Sequence, residues 1–414
     1  MRLIYSLFIL LYDTILLIIS PFHKKAGLMI KGRKNTIENI KKGFNPSDKV
    51  AWFHASSLGE FEQARPLIEE FNKKHPEYKI LISFFSPSGF EVRKNYSLAT
   101  KVVYLPGDSP KNAKKFLEAL NPDIVFFIKY EFWFNFIYNI HKRNIPLYQV
   151  SLILREKQYF FSWYGYWFRG QLKKFDILFV QNQNTQDLLN RFGINSSIIS
   201  GDTRFDRVND ISKNSKSFPI IEDFINSKPC LLCGSTWERD EEVIAKAIEL
   251  SNKSIKIIIA PHEIDLGHIN SIRERFPSSI LFSNIENERI KDIIDKNVLI
   301  IDSIGILSSL YKYSSLAYIG GGFGVGIHNI LEAATFGKPI CFGSNYSKFR
   351  EAEDLISLKG AYSIKDENEL SSWIVSMLED LELYKSACLS SMNYVRDNIG
   401  ASKVILDNIK LKGY

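Results

Sequence analysis

The sequence predicts an α/β protein with two doubly wound domains, each a parallel sheet covered by helices. Short apolar runs alternate with longer stretches of helical period, which is the pattern of βαβ units. The alternation occurs twice, before and after a polar stretch from Arg207 to Ser217. The 414 residues are 45% hydrophobic and 24% charged. Such a chain suits two or three globular domains, and it excludes a disordered chain and a polytopic membrane protein.

Ten apolar runs are predicted to be strands. In the first half they are Val50–His54, Lys79–Phe84, Ile124–Ile128, Pro146–Leu152 and Ile177–Gln181. In the second half they are Cys230–Gly234, Ile255–Ala260, Val298–Ile301, Leu316–Ile319 and Pro339–Phe342. Parallel sheets bind ligands beyond the carboxyl ends of their strands, so two such domains predict a site in the cleft between them.

The predicted organisation has five parts. They are a membrane helix over residues 1–22, a Rossmann-like domain over 23–207, a linker over 208–217, a second Rossmann-like domain over 218–385 and a helical segment over 386–414. We expect this last segment to pack back on the first domain, because it is longer than one domain needs.

Positive charge is concentrated in the first half of the chain. Residues 1–210 carry 30 basic and 19 acidic side chains, whereas the remainder carries 23 and 27. This asymmetry indicates an anionic partner for the first half, which can be nucleic acid, a membrane surface or an anionic lipid. The four cysteines do not form a disulfide framework. Cys230 and Cys233 lie on a predicted strand and point to opposite faces, which favours core packing over a zinc site.

The N-terminus carries a nearly continuous apolar stretch from Leu3 to Ile19. Its length is at the lower limit for a membrane-spanning helix, so it either crosses the bilayer or lies in it. The alternative is a buried helix of a soluble protein, since Asp13 near the middle is costly in lipid. Only Arg2 precedes the stretch, and five basic residues follow between positions 24 and 34. The positive-inside rule then keeps the body of the protein cytoplasmic.

A second candidate for membrane contact is an aromatic segment. Eight of the ten residues from Tyr159 to Phe168 are aromatic, and Arg169, Lys173 and Lys174 follow. Aromatic rings beside cations suit the headgroup region of a bilayer. The alternative is that half of these rings line a core helix.

The clearest binding motif is a glycine-rich loop between Tyr318 and Glu332. A strand ends in glycines, which let backbone amides approach a ligand, and a helix is predicted to begin near Asn329 with its positive end suited to a phosphate. Glu332 in the first turn would reach ribose hydroxyls. The spacing matches neither a P-loop nor a dinucleotide motif. The alternative is a tight turn in which Asn329 caps the helix.

The counterpart in the first half is the segment from Trp52 to Glu60, a strand followed by a small-residue loop and a helix. Ser57 and Glu60 form a capping-box pattern, which explains the glutamate structurally. A carboxylate at the end of such a strand can also act as a general base. Arg204, just before the predicted linker, would either neutralise a phosphate or pair with Asp202 or Asp206.

In this order, the segments resemble the 3-deoxy-D-manno-octulosonic acid (Kdo) transferases of lipopolysaccharide biosynthesis, membrane-anchored glycosyltransferases of the GT-B fold. The matching blocks are His54–Glu60, Ser86–Gly89, Tyr104–Asp108, Glu131–Asn135, Gly201–Asp206, Ser235–Thr236 and His328–Glu332.

The resemblance implies transfer of Kdo from CMP-Kdo to a phosphorylated, acylated glucosamine disaccharide, the lipid A precursor, at the cytoplasmic face of the inner membrane. Glu60 would be the general base, and the anomeric carbon would be inverted without a covalent intermediate. The resemblance implies no metal or other cofactor and no nucleic-acid partner. The implied CMP-Kdo contacts are Ser235, Pro261, His262, Ile304, Gly305, Ile306, Asn329, Ile330, Leu331 and Glu332.

The sequence departs from the family pattern at three places. Lys129 and Glu131 stand where the family has Glu-x-Glu, so the transition-state or acceptor roles implied there involve one base and one acid. Arg204 replaces a lysine, and Pro261-His262-Glu263 replaces Pro-Arg-His. Two other functions fit the motifs: a GT-B transferase that uses a UDP-sugar and a lipid acceptor, and a non-catalytic, membrane-tethered nucleotide-sugar-binding protein in which Glu60 is only a helix cap.

Overall fold

The computed structural model describes residues 1–411, apart from the side chains of residues 286 and 287, and it consists of two compact units. Met1–Arg207 and the final segment from Ile399 form the first unit, and Val208–Asn398 forms the second. Each unit contains one seven-stranded sheet. All strand pairs in both sheets are parallel. The predicted fold class is thereby confirmed.

The sheet of the first unit has the order β3-β2-β1-β4-β5-β6-β7. Its strands are β1 (Lys49–Ala55), β2 (Tyr78–Phe84), β3 (Lys101–Tyr104), β4 (Ile124–Ile128), β5 (Leu147–Leu152), β6 (Ile177–Val180) and β7 (Ser197–Ile199). Its helices are α1 (Arg2–Ile19), α2 (Lys24–Lys34), α3 (Thr36–Gly43), α4 (Leu58–Lys74), α5 (Pro87–Arg93), α6 (Pro110–Leu120), α7 (Phe134–Lys142), α8 (Tyr166–Leu172), α9 (Gln183–Arg191) and α10 (Thr203–Lys213), which continues into the second unit. A 3-10 turn covers Tyr159–Phe161.

Both faces of this sheet are buried, which explains the continuous apolar runs of its interior strands. Trp52 and Phe127 belong to the core on one face, together with residues of α6 and α7. Phe53 and Phe126 belong to the core on the other face, together with residues of α4. Successive residues of a strand alternate between the faces, so His54 lies on the same side as Trp52.

Helix α1 packs on the first unit through polar contacts and leaves most of its apolar side chains exposed. Arg2 Nε donates to Asn135 Oδ1 at 2.9 Å, and the Tyr5 hydroxyl donates to Asp108 at 2.7 Å. The exposed fraction of Leu3 is 81% and that of Phe8 is 65%. The helix is long and apolar enough to cross a membrane by length and composition.

The aromatic segment divides between the core and the surface, so each of the two interpretations holds for part of it. Phe160 is buried, and Phe161, Trp167 and Phe168 pack against the core. Trp163 and Tyr166, in contrast, are 92% and 82% exposed.

The second sheet has the order β10-β11-β9-β8-β12-β13-β14. Its strands are β8 (Cys230–Thr236), β9 (Lys256–Pro261), β10 (Ser279–Leu281), β11 (Val298–Ile300), β12 (Leu316–Ile319), β13 (Ile340–Gly343) and β14 (Ala361–Ile364). Its helices are α11 (Pro219–Ile225), α12 (Glu238–Ser251), α13 (Leu266–Arg275), α14 (Ile290–Ile294), α15 (Leu307–Leu310), α16 (Leu331–Ala334), α17 (Arg350–Ser357), α18 (Glu367–Glu379) and α19 (Leu381–Asp397). Two 3-10 turns cover Phe282–Asn287 and Tyr311–Tyr313.

The unit boundaries differ from the predicted ones. Residues 208–213 of the predicted linker continue α10, because Phe205 and Val208 are buried at helical spacing beneath a polar surface. The second unit extends to Asn398, so α19 does not belong to the returning segment predicted over 386–414. The return is made by α20 (Ala401–Asn408), whose Ile405 and Leu406 join the core of the first unit.

Candidate active site

Glu60 lies at the carboxyl end of β1, where the strand turns into α4. Its Oε2 atom accepts hydrogen bonds from the backbone amides of Ser56 at 2.6 Å and Ser57 at 3.2 Å. The Ser57 hydroxyl accepts from the amide of Glu60 at 3.5 Å, which completes the predicted capping box. The cap fixes the position of the carboxylate at the edge of the sheet.

The environment of Glu60 makes its carboxyl group a weaker acid than an exposed one. Burial, and next the negative charge of Glu131, raises the pKa of Glu60 to about 7. The amide of Ser56 and the charge of Lys129 act in the opposite direction. A carboxylate with this pKa is partly ionised at neutral pH and accepts a proton more readily than an exposed one. The cap and the base are therefore compatible roles of one side chain.

A buried pair, His54 and Glu131, adjoins this carboxylate. His54 is fully buried on β1, and Glu131 is 4% exposed. Nε2 of His54 lies 2.9 Å from Glu131, and Nδ1 lies 3.0 Å from the carbonyl oxygen of Ser83. Both ring nitrogens thus lie within hydrogen-bonding distance of oxygen atoms. Burial alone would raise the pKa of Glu131, but the hydrogen bond from His54 lowers it below its usual value.

Trp133, which precedes α7, contacts both His54 and Glu131. Its Nε1 atom donates to Glu131 and lies 2.8 Å from Nε2 of His54. The ring of Phe85 packs on Trp133 with centroids 4.7 Å apart. On the opposite side, Trp52 donates to the hydroxyl of Ser83 at 2.7 Å. The carboxylate of Glu131 is thus engaged by the buried His54 and the partly buried Trp133.

Lys129 lies close enough to Glu60 to affect its pKa, and Arg204 lies near the adjacent Tyr130. Lys129 follows β4 with φ 67°, in the left-handed region, and its carbonyl accepts from Gln149 at 2.7 Å. Arg204 donates to Asp202 at 2.8 Å. Of the alternatives for this arginine, pairing with Asp202 is thus observed, whereas Asp206 accepts from backbone amides of the segment that leads into α20.

A second cluster lies in the second unit, at the carboxyl ends of β8, β9 and β12. The rings of Trp237 and His262 are stacked with centroids 4.7 Å apart, and those of His262 and His328 with centroids 4.4 Å apart. Trp237 Nε1 donates to Nε2 of His328 at 3.1 Å. Burial, and next the proximity of His262, lowers the pKa of His328 to about 4, so this ring is neutral at physiological pH. His262 is therefore part of an aromatic stack.

The glycine-rich loop packs backbone against backbone. A Cβ on Gly320 would lie 2.2 Å from the carbonyl oxygen of Ser235, and one on Gly322 would lie 2.5 Å from the backbone of Gly343. The amide of Gly321 donates to the buried Asp240 at 2.8 Å, and Asp240 also accepts from Tyr318 at 2.7 Å. The amides of Gly320, Gly324 and Gly326 donate to backbone carbonyls. Asp240 therefore holds the loop, a role that the sequence pattern did not indicate.

The remaining predicted donor contacts differ in what they can offer. Asn329 is exposed and joined to Glu332 at 3.0 Å, and its side chain accepts from the amide of Leu331 at 3.2 Å. Ile330 and Leu331 are buried, so they can contact a ligand only through the backbone. The helix expected near Asn329 begins at Leu331 and has four residues.

The other predicted positions occupy strand ends or loops of the second unit. Ser235 is the penultimate residue of β8 and has φ 55°, and Pro261 is buried at the end of β9. Ile304, at 86% exposure, and Gly305, with φ 90°, lie in a loop that ends at Ile306 before α15. Among the side chains that the structure describes, no three of His, Cys, Asp or Glu form a group suited to a metal ion.

Comparison with known proteins agrees with these motifs. Residues 30–207 match the family model of 3-deoxy-D-manno-octulosonic-acid transferase (kdotransferase). The 3-deoxy-D-manno-octulosonic acid transferase of Aquifex aeolicus is 27% identical over 338 residues, 79% of this chain and 85% of the relative. The protein of that name from Rickettsia bellii is 28% identical over 339 residues, 80% of this chain and 79% of the relative.

The solved structures show the fold. UDP-GlcNAc 2-epimerase from Neisseria meningitidis, bound to UDP-GlcNAc, has a TM-score of 0.61 at 17% identity, over 87% of this chain and 98% of that chain. This agreement confirms the GT-B type of fold with two parallel-sheet units. The family model matches residues 30–207, and relatives of the same name cover most of this chain, so the chain is similar to the 3-deoxy-D-manno-octulosonic-acid transferases over most of its length and is a glycosyltransferase.

Proposed function

We propose that this protein is an inverting transferase that moves Kdo from CMP-Kdo to a hydroxyl of the phosphorylated, acylated glucosamine disaccharide that precedes lipid A. The observation that carries the proposal is Glu60. Its carboxylate is fixed at the end of a parallel strand by two amides, and its pKa is raised to about 7.

In the proposed reaction, Glu60 takes the proton of the acceptor hydroxyl. The hydroxyl oxygen then bonds to the anomeric carbon of Kdo while the bond from that carbon to the phosphate oxygen of CMP breaks. Both amide contacts use Oε2 of Glu60, so we assign Oε1 to the acceptor hydroxyl. The nearby cation Lys129 favours the ionised form of Glu60, and the reaction requires neither a metal nor another cofactor.

The donor contacts are assigned to the second unit, at the predicted positions from Ser235 to Glu332. His262 and Trp237 offer an aromatic surface there, in contrast to the arginine of the family pattern. Exposed polar groups are supplied by Asn329.

The acceptor is a lipid, and the first unit is suited to meet it at the cytoplasmic face of the inner membrane. Helix α1 exposes apolar side chains, yet its Arg2, Tyr5 and Asp13 are bound to the body of the unit. If the helix crossed the bilayer, these polar contacts would be lost. The loss would cost several kcal/mol of free energy, because the buried polar groups would have no hydrogen-bond partners. We therefore place α1 along the membrane surface, with Trp163 and Tyr166 in the headgroup region.

The direct test is incubation of the full-length protein with CMP-Kdo and a tetra-acylated lipid A precursor, followed by mass spectrometry of the lipid. The expected product carries added Kdo, and Glu60→Gln is expected to form almost none. Thermal unfolding with CMP and with UDP decides the donor: protection by UDP alone would favour a UDP-sugar transferase. If a nucleotide protects the protein from thermal unfolding but no donor gives a product, the protein would be a non-catalytic binding protein.

A further inference from the structure

A cavity in the first unit, outside the site described above, is lined by cations. Its volume is about 410 Å³, and it lies among α1, α2, α3, the loop after β3 and α6. The charged residues that line it are Arg33, Lys34, Lys115 and Asp13. Three cations and one carboxylate leave the lining positive.

Arg33 is the central group of this cavity. Its side chain is 9% exposed, and Nη1 lies 3.2 Å from Asp13. Its Nε and Nη2 atoms are buried without a hydrogen-bond partner among the described residues. Buried donors of this kind are almost always satisfied, and a guanidinium presents its donors in a fork that matches the oxygens of a phosphate. The unpaired donors therefore point to an anionic ligand.

The rest of the lining indicates what else the ligand carries. Leu17 of α1, with Ile30 and Ile37, supplies apolar walls. Asp13 approaches the backbone at Gly107 so closely that a Cβ there would lie 1.9 Å from its carboxylate. A phosphate with an apolar neighbour suits such a mixed lining, and the exposed apolar surface of α1 adjoins it. These are the properties of a phospholipid or of a phosphorylated glycolipid.

Two packed aromatic side chains, Phe85 and Trp133, lie between the cavity and the candidate active site. The guanidinium of Arg33 lies 4.7 Å from the ring centre of Phe85. The same ring packs at 4.7 Å on Trp133, which donates to Glu131. A lipid held at Arg33 is thus separated by Phe85 and Trp133 from the pair beside Glu60.

We propose that this cavity binds the phosphate group of a membrane lipid, with Arg33, Lys34 and Lys115 as its cations. The phosphate belongs either to the acceptor lipid or to a bulk anionic phospholipid. Binding of the acceptor rests on the proposed function, whereas binding of a phospholipid does not.

The test is co-sedimentation of the full-length protein with phosphatidylcholine vesicles that contain phosphatidylglycerol, the bis-phosphorylated lipid A precursor, or its dephosphorylated form. The variant Lys34→Gln/Lys115→Gln is compared with Lys111→Gln/Lys114→Gln, which removes two exposed lysines of α6 outside the cavity. All four lysines are exposed, so both variants are expected to fold. We expect the cavity variant to bind phosphorylated lipid roughly tenfold more weakly than the control.

The pattern of loss identifies the source. A loss toward both phosphatidylglycerol and the precursor assigns the site to any lipid phosphate, and a loss toward the bis-phosphorylated precursor alone assigns it to the acceptor. Equal binding by the cavity and control variants to every phosphorylated lipid overturns the proposal. Arg33→Lys, which keeps the charge and removes the fork, is expected to weaken binding as well. The experiment measures lipid binding and not turnover. Its result therefore tests the cavity even if the protein transfers no Kdo.

Discussion

The Nε2 atom of His54 lies 2.9 Å from the carboxylate of Glu131, in the interior of the first unit. The two residues are 77 positions apart in the chain, and the fold brings them together at the ends of β1 and β4. Glu131 stays ionised because His54 donates to it, and its charge raises the pKa of Glu60. Burial is the largest cause of the raised pKa of Glu60, and the charge of Glu131 in the buried pair raises it further.

Glu60→Gln separates the two roles of Glu60. The pKa of Glu60 is raised in the folded state, so its contribution to stability is present at low pH and is lost as the pH rises from 4.5 through about 7. Glutamine stays neutral, so we expect the variant to be at least as stable as the wild type at pH 8 in urea unfolding. Turnover should fall by roughly 10²–10⁴-fold. A less stable variant with an unchanged rate would assign Glu60 to capping alone.

The rate of the wild type should depend on pH through the same group. Because the base must be ionised, kcat/KM is expected to rise as the pH increases through about 7. Lys129→Met removes a cation that lowers the pKa of Glu60. The rising limb of the plot of kcat/KM against pH should then move to higher pH, by on the order of half a unit. Lys142→Met, which removes a lysine at the end of α7, serves as the control and is expected to leave the profile in place.

Glu131→Gln should move the same limb to lower pH, because it removes the negative charge that raises the pKa of Glu60. The variant also removes the carboxylate that contacts His54 and accepts from Trp133, and losing a hydrogen bond to a charged group costs about 1.5–3 kcal/mol. The pKa of Glu131 is lowered on folding, so its contribution to stability is present above its unfolded value and is lost as the pH falls. Urea unfolding should therefore show the largest deficit of the variant at neutral pH. Glu118→Gln, on the exposed side of α6, is the control.

Asp240→Asn tests the support of the glycine-rich loop. Asp240 accepts from the amides of Gly321 and Trp237 and from the hydroxyl of Tyr318. Replacing one carboxylate oxygen by an amide group removes an acceptor, so the loop and the ring of Trp237 lose a fixed position. We expect protection by CMP in thermal unfolding to weaken, while Glu242→Gln, at a partly exposed position of α12, retains it. Unchanged protection would show that the loop does not take part in nucleotide binding.

The ten strands predicted from the sequence are the ten interior strands of the two sheets, and the four strands that were not predicted are the four edges. β3, β7, β10 and β14 have three or four residues each and are only partly buried. An interior strand of a parallel sheet is covered on both faces and therefore needs a continuous apolar run. An edge strand does not, so its sequence carries a weaker signal.

The candidate site was predicted in part. The small-residue loop, the capping box and the strand end placed Glu60 correctly, because these signals are local. His54 stands at the head of the same block, yet nothing in its neighbours indicated a partner. Trp237 and Asp240 likewise lie next to a predicted strand end, and their contacts with His328 and Gly321 are made across the sheet.

By itself, the amino-acid sequence determined the α/β class, the interior strands and the position of a carboxylate at the end of β1, since apolar runs and turn residues act over a few positions. Tertiary structure decided the acidity of that carboxylate, the pairing of His54 with Glu131 and the cationic cavity at Arg33. These depend on burial and on charges contributed by distant segments, and both are fixed only when the sheet and its helices come together.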